Sequence, residues 1–153
     1  MKRTVNTLQL IGLALPHKTV NSNGQSGIDC GAHWQKFETE QIPSLISNKV
    51  NESIIAVYHD YESDHTSPFS YFIGCWVEEG TTVPEGLDSL QIPAGIYHKV
   101  EAQGVLPNCI AEAWQEIWNS EIPRTYTYDF EVYDDRSQNW KNGIVDIYLS
   151  IKE

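Results

Sequence analysis

Val57-Tyr58-His59-Asp60 recurs 75 residues further on as Val132-Tyr133-Asp134-Asp135, and each tetrapeptide ends a segment rich in β-branched and aromatic residues. A second pair, Ile73 and Ile147, is separated by 74 residues and falls in the next such segment of each half. A near-constant offset over two successive predicted strands indicates an internal repeat. These segments therefore predict that one structural unit is present twice in the chain.

Each predicted unit has the element order β-α-β-β. Leu8-Gln9-Leu10 and Leu90-Gln91-Ile92 begin the first strands, and apolar residues at helical spacing follow both. We therefore expect one domain, with repeat one at about residues 5–79, a linker at 80–89 and repeat two at about 90–153. The predicted fold class is α+β, with an antiparallel sheet and both helices on one of its faces.

Alternation of apolar and polar residues assigns the faces of the predicted strands. Ile73, Ile147 and Leu149 are expected to face the helices, as are Phe130 and Val132. The opposite face would then carry polar aromatic and acidic residues, and a ligand cleft is expected there. These residues are Glu131, Tyr133, Asp146, Tyr148, Phe72, Trp76 and Tyr58.

The composition is acidic and rich in polar aromatic residues. The chain of 153 residues has 21 acidic against 10 basic side chains, a formal net charge of −11, and no cluster of Lys and Arg. Such a charge repels phosphate, which argues against direct binding to nucleic acid or to an anionic membrane surface. The five Trp and eight Tyr suit a binding surface as well as a core, since each has a polar group on an apolar ring.

The cysteines indicate the cellular compartment, and the absence of metal-binding and membrane-spanning motifs restricts the possible functions. Cys30, Cys75 and Cys109 lie in apolar stretches without a C-x-x-C motif, which predicts free thiols in a reducing cytoplasm. No apolar run approaches the roughly 20 residues of a membrane-spanning helix. Residues 59–65 contain two His and several acidic side chains, but they are predicted to form an acidic hairpin loop. No metal and no cofactor is expected.

Four motifs resemble the GyrI-like family, the effector-binding domains of some AraC- and MerR-type bacterial transcription regulators and their stand-alone relatives. The resemblance implies a duplicated β-α-β-β fold with pseudo-two-fold symmetry and a cleft between the halves. It identifies this chain as similar to a stand-alone member. The motifs are Pro93-Ala94-Gly95-x-Tyr97, Ala113-Trp114-x-x-Ile117-Trp118, Phe130-Glu131-Val132-Tyr133 and Val145-Asp146-Ile147-Tyr148-Leu149-Ser150-Ile151.

The resemblance also implies a class of ligand. Family members commonly bind lipophilic cations between aromatic rings around a buried glutamate, which corresponds to Glu131 here. The expected partner is therefore a small lipophilic cation, such as a drug-like molecule, and a protein partner is left open. The expected ligand-binding residues are Glu131, Trp76, Tyr58, Tyr133, Tyr148, Phe72, Tyr97 and Trp114.

Two other functions are compatible with the same residues. Some relatives look like hydrolases of small electrophilic molecules, in which Glu131 would act as general acid or base and Tyr97 or a Trp indole N–H would hold the developing charge. A gyrase-inhibitor-like protein-interaction module is the second alternative. Two residue roles also stay open: Asp146 is a second carboxylate of the site or an exposed strand residue, and Trp114 lines the cleft or packs in the core.

Overall fold

The protein is described by a computed structural model over residues 2–152, which contain eight strands and two α-helices. The helices are α1 (Gln25–Thr39) and α2 (Asn108–Trp118). No helix within residues 2–152 is both long and apolar enough to cross a membrane. The strands are β1 (Lys2–Val5), β2 (Leu8–Ala14), β3 (Lys49–His59), β4 (Ser70–Val77), β5 (Asp88–Ile92), β6 (Gly95–Gly104), β7 (Arg124–Tyr133) and β8 (Gly143–Ile151).

The strands form one antiparallel sheet with the order β1-β6-β8-β7-β3-β4-β2-β5. The series β2-α1-β3-β4 and β6-α2-β7-β8 have the predicted element order and meet at the centre, where β7 pairs with β3. Outward from this pair the order is β7, β8, β6 on one side and β3, β4, β2 on the other. The predicted α+β class is confirmed, whereas the duplication and the repeat boundaries stay predictions.

The two outermost strands differ from the prediction. β5 begins at Asp88, inside the range predicted as a linker, and its Gln91 lies directly opposite Gln9 of β2. The two similar tripeptides therefore pair with each other instead of occupying equivalent positions. β1, which was not predicted, pairs with β6. β1 precedes the series β2-α1-β3-β4 in the chain but forms the edge of the other half, beside β6. β5 precedes the series β6-α2-β7-β8 but forms the edge beside β2.

The connection between β5 and β6 forces the sheet to curl. β5 stands last in the strand order and β6 second, yet only Pro93 and Ala94 lie between them. Two intervening residues span at most about 10 Å, whereas six strand spacings of about 4.8 Å would separate these strands in a flat sheet. Both faces of the curled sheet are therefore able to enclose a core.

Apolar residues are buried on both faces. On the helix side, Phe37 of α1 packs with Ile11 and Ile73, and Ile117 of α2 packs with Ile147. The opposite face carries a further cluster, which includes residues of both β5 and β6 and so lies inside the curl. We call this the inner cluster; it consists of Leu8, Leu10, Ile55, Val57, Phe72, Ile92, Tyr97 and Phe130.

The predicted face assignment of β7 is wrong. Phe130 belongs to the inner cluster, whereas Glu131 lies opposite Ile147 of β8, which faces the helices. Tyr133 and Tyr58 also pack on the helix side. The prediction assumed that apolar strand residues point toward the helices. Because the curl creates a second apolar core, alternation separates the two faces of β7 without telling which one the helices cover.

The other strands follow the prediction more closely. Phe72, Trp76 and Tyr148 lie on the face away from the helices, as predicted. Val132 of β7 lies on the same face, which is part of the error in that strand. The expected cleft on this face is a second error, because the inner cluster occupies it. The cavities described below open on the helix side instead.

Candidate functional site

A cavity of about 420 Å³ lies between α1 and α2 on the helix side of the sheet. This volume is within the range of small-molecule pockets, roughly 300–1,000 Å³. Gly27 and Gly31 of α1 border the cavity, and a Cβ atom at either position would meet nothing within 4 Å. Ala111 borders it from α2. These small residues leave the space between the helices open.

Glu131 lies in the cavity wall formed by β7, with 1% of its surface exposed. Its carboxylate accepts three hydrogen bonds from neutral donors. Oε2 accepts from Trp114 Nε1 at 2.6 Å and from Tyr58 Oη at 2.9 Å, and Oε1 accepts from Tyr133 Oη at 2.6 Å. The donors come from α2, β3 and β7, so tertiary packing builds this arrangement.

The carboxylate of Glu131 has no cationic partner in the part of the chain that the structure describes. None of the salt bridges formed among residues 2–152 includes it. Burial raises the pKa of Glu131, and the hydrogen bonds from Tyr133, Trp114 and Tyr58 oppose this rise because they stabilise the charged form. A buried carboxylate without a counter-charge is unfavourable. The site is therefore short of one positive charge.

Aromatic rings surround the carboxylate. Tyr58 packs against Trp114 with ring centroids 5.0 Å apart, and Trp34 of α1 packs edge-on against Tyr133 at 4.8 Å. Trp34 Nε1 also donates a 2.7 Å hydrogen bond to Tyr71 Oη. All five side chains line the cavity. Their mutual contacts hold the walls in place, and their π-systems suit a cation.

A buried ion pair stands elsewhere along the same wall. Arg124 Nη2 donates to Asp129 Oδ2 at 2.7 Å, and Tyr61 Oη donates to the same oxygen at 2.7 Å. Arg124 and Tyr61 line the cavity, and Asp129 is fully buried. Because the charges of Arg124 and Asp129 cancel, this pair does not supply the positive charge that Glu131 lacks.

A second cavity of about 910 Å³ adjoins the first. The two share Trp34 and Tyr133 among their lining residues, so this aromatic pair stands between them. The second cavity is bordered by four acidic residues, two of which, Glu52 and Asp134, are ion-paired with Lys49 and Arg136. The four acidic residues are Glu38, Glu52, Asp134 and Asp135.

The structure brings together four of the eight predicted site residues. Glu131, Tyr58, Tyr133 and Trp114 line the first cavity. The others pack in or against the inner cluster, because alternate residues of a strand point to opposite faces of the sheet. These four corrected residues are Trp76, Phe72, Tyr148 and Tyr97.

Asp146 belongs to neither of the environments considered for it. It is 5% exposed and accepts a 2.6 Å hydrogen bond from Arg136 Nη2, and Lys99 Nζ lies 3.6 Å from the same carboxylate. Asp146 is thus an ion-paired residue outside the cavity. Among residues 2–152, no three His, Cys, Asp or Glu side chains are placed to hold a metal ion, and this includes residues 59–65.

Several lining residues were not predicted. Tyr71 lies next to Phe72, and a correct face assignment of β3 would have placed it beside Tyr58 on the helix side. Arg124 has no local signal, because it meets Asp129 only through an irregularity in β7. Trp34 resembles an ordinary core residue of an amphipathic helix.

Comparison with known proteins assigns this chain to a family. The model of Cass2, described as integron-associated effector binding protein, matches residues 4–151. YobU of Bacillus subtilis, described as a candidate transcriptional regulator, is 29% identical over 126 residues, which cover 80% of this chain and 79% of YobU.

Solved structures share the fold. The integron cassette protein VCH_CASS2 of Vibrio cholerae has a TM-score of 0.74 and 24% identity, covering 99% of this chain and 95% of that one. The structure of SAV2435 bound to tetraphenylphosphonium has a TM-score of 0.80 and 18% identity, covering 99% and 93%. The match of the family model over nearly the whole chain confirms the predicted resemblance to effector-binding domains. The chain belongs to the Cass2 family of integron-associated effector binding proteins.

Proposed function

We propose that this protein binds small lipophilic organic cations in the cavity between α1 and α2. The observation that carries the proposal is Glu131, a buried carboxylate held by three neutral donors and without a cationic partner among residues 2–152. A bound cation would supply the missing charge in a place where little water screens the attraction.

The aromatic walls add selectivity for apolar cations. Each ring face within reach of a cationic centre contributes roughly 0.5–2 kcal/mol of cation–π attraction. Tyr58, Trp114 and Tyr133 surround Glu131 and keep their polar groups engaged with its carboxylate. A strongly hydrated cation would lose its water without equivalent replacement, so the site favours lipophilic cations over metal or ammonium ions.

Two relatives support this reading. SAV2435, which shares the fold, is described as bound to tetraphenylphosphonium, a lipophilic cation. YobU is described as a candidate transcriptional regulator. We therefore propose that ligand occupancy serves transcription regulation, and that the protein acts in the cytoplasm, which its three free cysteines favour.

A pair of ions of the same shape and opposite charge tests the proposal. Tetraphenylphosphonium should quench tryptophan fluorescence on binding, whereas tetraphenylborate should not bind, because Glu131 repels it. Glu131→Gln should weaken binding of the cation about tenfold or more, since it keeps the shape of the side chain and removes its charge. Asp146→Asn is the matched control outside the cavity and should leave affinity unchanged. Equal affinity of the wild type and Glu131→Gln for tetraphenylphosphonium would refute the proposal.

The hydrolase alternative loses Tyr97, one of the two kinds of group expected to hold the developing charge. Tyr97 packs edge-on against Phe130 in the inner cluster, with ring centroids 5.3 Å apart, and does not line the cavity. It therefore has no access to a molecule beside Glu131. The other candidate, a Trp indole N–H, is present as Trp114, but its Nε1 already donates to Glu131 itself. We propose ligand binding, and not hydrolysis, as the function of this site.

A further inference from the structure

Arg124 is buried in the wall of the first cavity with part of its hydrogen-bonding capacity unused. Its side chain is 2% exposed, and Nη2 donates to Asp129. Within residues 2–152, its Nε and Nη1 have no hydrogen-bond partner. Native proteins leave few buried N–H groups without an acceptor, because each one costs free energy. The cavity wall therefore carries donors for which the described chain provides no acceptor.

The charge around Arg124 indicates what kind of acceptor fits. Asp129 already neutralises the guanidinium, and it also accepts a hydrogen bond from Tyr61. An additional anion would be repelled by both Asp129 and Glu131. A neutral oxygen, as in a ketone, amide or ether, accepts a hydrogen bond without this repulsion.

Tyr126 covers the guanidinium. Its ring centroid lies 4.3 Å from Arg124 Cζ, and the backbone of Tyr126 is in the left-handed region with a φ of 56°. It lies within the irregular stretch of β7 between Arg124 and Asp129. Such backbone strain and strand irregularities concentrate at functional sites.

Trp114 contacts both the guanidinium of Arg124 and the carboxylate of Glu131. Its indole nitrogen bonds to Glu131 at 2.6 Å, and Arg124 Cζ lies 5.6 Å from its ring centroid. Glu131 and Arg124 thus contact the same indole ring, Glu131 at its N–H and Arg124 over its face. One small molecule is long enough to contact both.

We propose that Arg124 is a second anchor in the cavity and that the ligand is a lipophilic cation carrying a neutral oxygen acceptor. The cationic centre binds beside Glu131, and the oxygen accepts a hydrogen bond from Arg124. This inference rests on the proposed function and narrows the class of ligand.

Two phosphonium compounds of nearly equal shape test the inference. Pentyltriphenylphosphonium has no acceptor, and its 4-oxopentyl analogue adds one ketone oxygen. The wild type should bind the ketone roughly tenfold more tightly, as a hydrogen bond to a charged donor provides. Arg124→Lys keeps a charge opposite Asp129 but removes Nε and Nη1 as donors, so it should abolish this preference.

The comparison of the two compounds in the wild type keeps the test decisive if Arg124→Lys fails to fold, because the preference for the ketone is then measured on the unmodified protein. Equal affinity of the wild type for the two compounds, or a preference that survives in Arg124→Lys, would overturn the inference and leave the proposed function intact. Failure of the wild type to bind either compound would overturn both.

Discussion

The indole nitrogen of Trp114 on α2 donates a 2.6 Å hydrogen bond to the carboxylate of Glu131 on β7. The two residues are 8% and 1% exposed, so little water competes for this bond. Hydrogen bonds to a charged acceptor in such surroundings are among the stronger ones in proteins. The bond ties one helix of the cavity wall to the charge in the sheet, and it makes the ionisation of Glu131 sensitive to the position of α2.

Replacing Trp114 by Phe should raise the pKa of Glu131 further. The variant removes one of three donors that stabilise the carboxylate and keeps most of the ring. The pH midpoint for binding of tetraphenylphosphonium, measured by fluorescence, should therefore move upward. Trp118→Phe is the matched control, because Trp118 lines the same cavity and stacks on His65 without a bond to Glu131. A midpoint that is the same in both variants would contradict this role of Trp114.

Binding of a permanent cation should weaken as the solution becomes acidic. Burial raises the pKa of Glu131 above the value of 4.5 for a free side chain, so the carboxylate protonates at a higher pH than an exposed Glu. Tetraphenylphosphonium does not titrate, and below the raised pKa its affinity should fall about tenfold per pH unit. Isothermal titration calorimetry from about pH 4 to pH 8 measures this. Glu131→Gln should show a weak and nearly flat profile, and a wild-type profile equally flat would exclude Glu131 as the titrating group.

The buried carboxylate of Glu131 should destabilise the ligand-free protein at neutral pH. Between the ordinary pKa of the unfolded chain and the raised pKa of the folded one, the folded state binds a proton that the unfolded state releases. Stability therefore falls as pH rises through this window. Glu131→Gln should raise the melting temperature at neutral pH by about 2–4 °C for each kcal/mol gained. The difference should disappear below the ordinary pKa, and a lower melting temperature for Glu131→Gln at neutral pH would contradict the expectation.

Two tryptophans on opposite faces of the sheet should respond differently to substitution. Trp34 lines the first cavity, whereas Trp76 packs against the inner cluster. Trp34→Ala removes a wall of the cavity and should weaken binding of tetraphenylphosphonium at least several-fold, given the usual size of a cation–π contact. Trp76→Ala should leave affinity unchanged while lowering stability. Calorimetric titration of both variants measures the two affinities. Weaker binding in Trp76→Ala and unchanged binding in Trp34→Ala would show that the ligand binds on the inner face of the sheet.

The ion pair of Arg124 and Asp129 should matter more for stability than the exposed pairs. Asp129→Asn leaves Arg124 buried without its counter-charge, which typically costs about 3–5 kcal/mol. Asp60→Asn is the control, because Asp60 is 66% exposed in its pair with Lys18 and should cost less than about 1 kcal/mol. Urea denaturation gives both free energies of unfolding. Similar losses for the two variants would show that the burial of the pair is unimportant.

Half of the predicted binding residues lie in the cavity, and the assignment of strand faces explains most of the division. Glu131 and Tyr133 were grouped with Trp76 and Tyr148 on the expectation that one face of the sheet is apolar and covered by helices. In this sheet both faces are apolar. The two-residue connection between β5 and β6 curls the sheet, so that its inner face also encloses a core. Alternation therefore separated the two faces of each strand correctly, but it matched the faces of different strands wrongly.

The sequence by itself determined the α+β class, the order of the inner strands and the helices, and the presence of Glu131 among polar aromatic residues. These follow from local periodicity and from family motifs, which need no long-range information. Only the tertiary structure decided which face holds the cavity, and it alone brought Trp34 and Arg124 into its wall. The physical reason is that the face toward the helices depends on the curl of the whole sheet, a property that the alternation within any one strand does not contain.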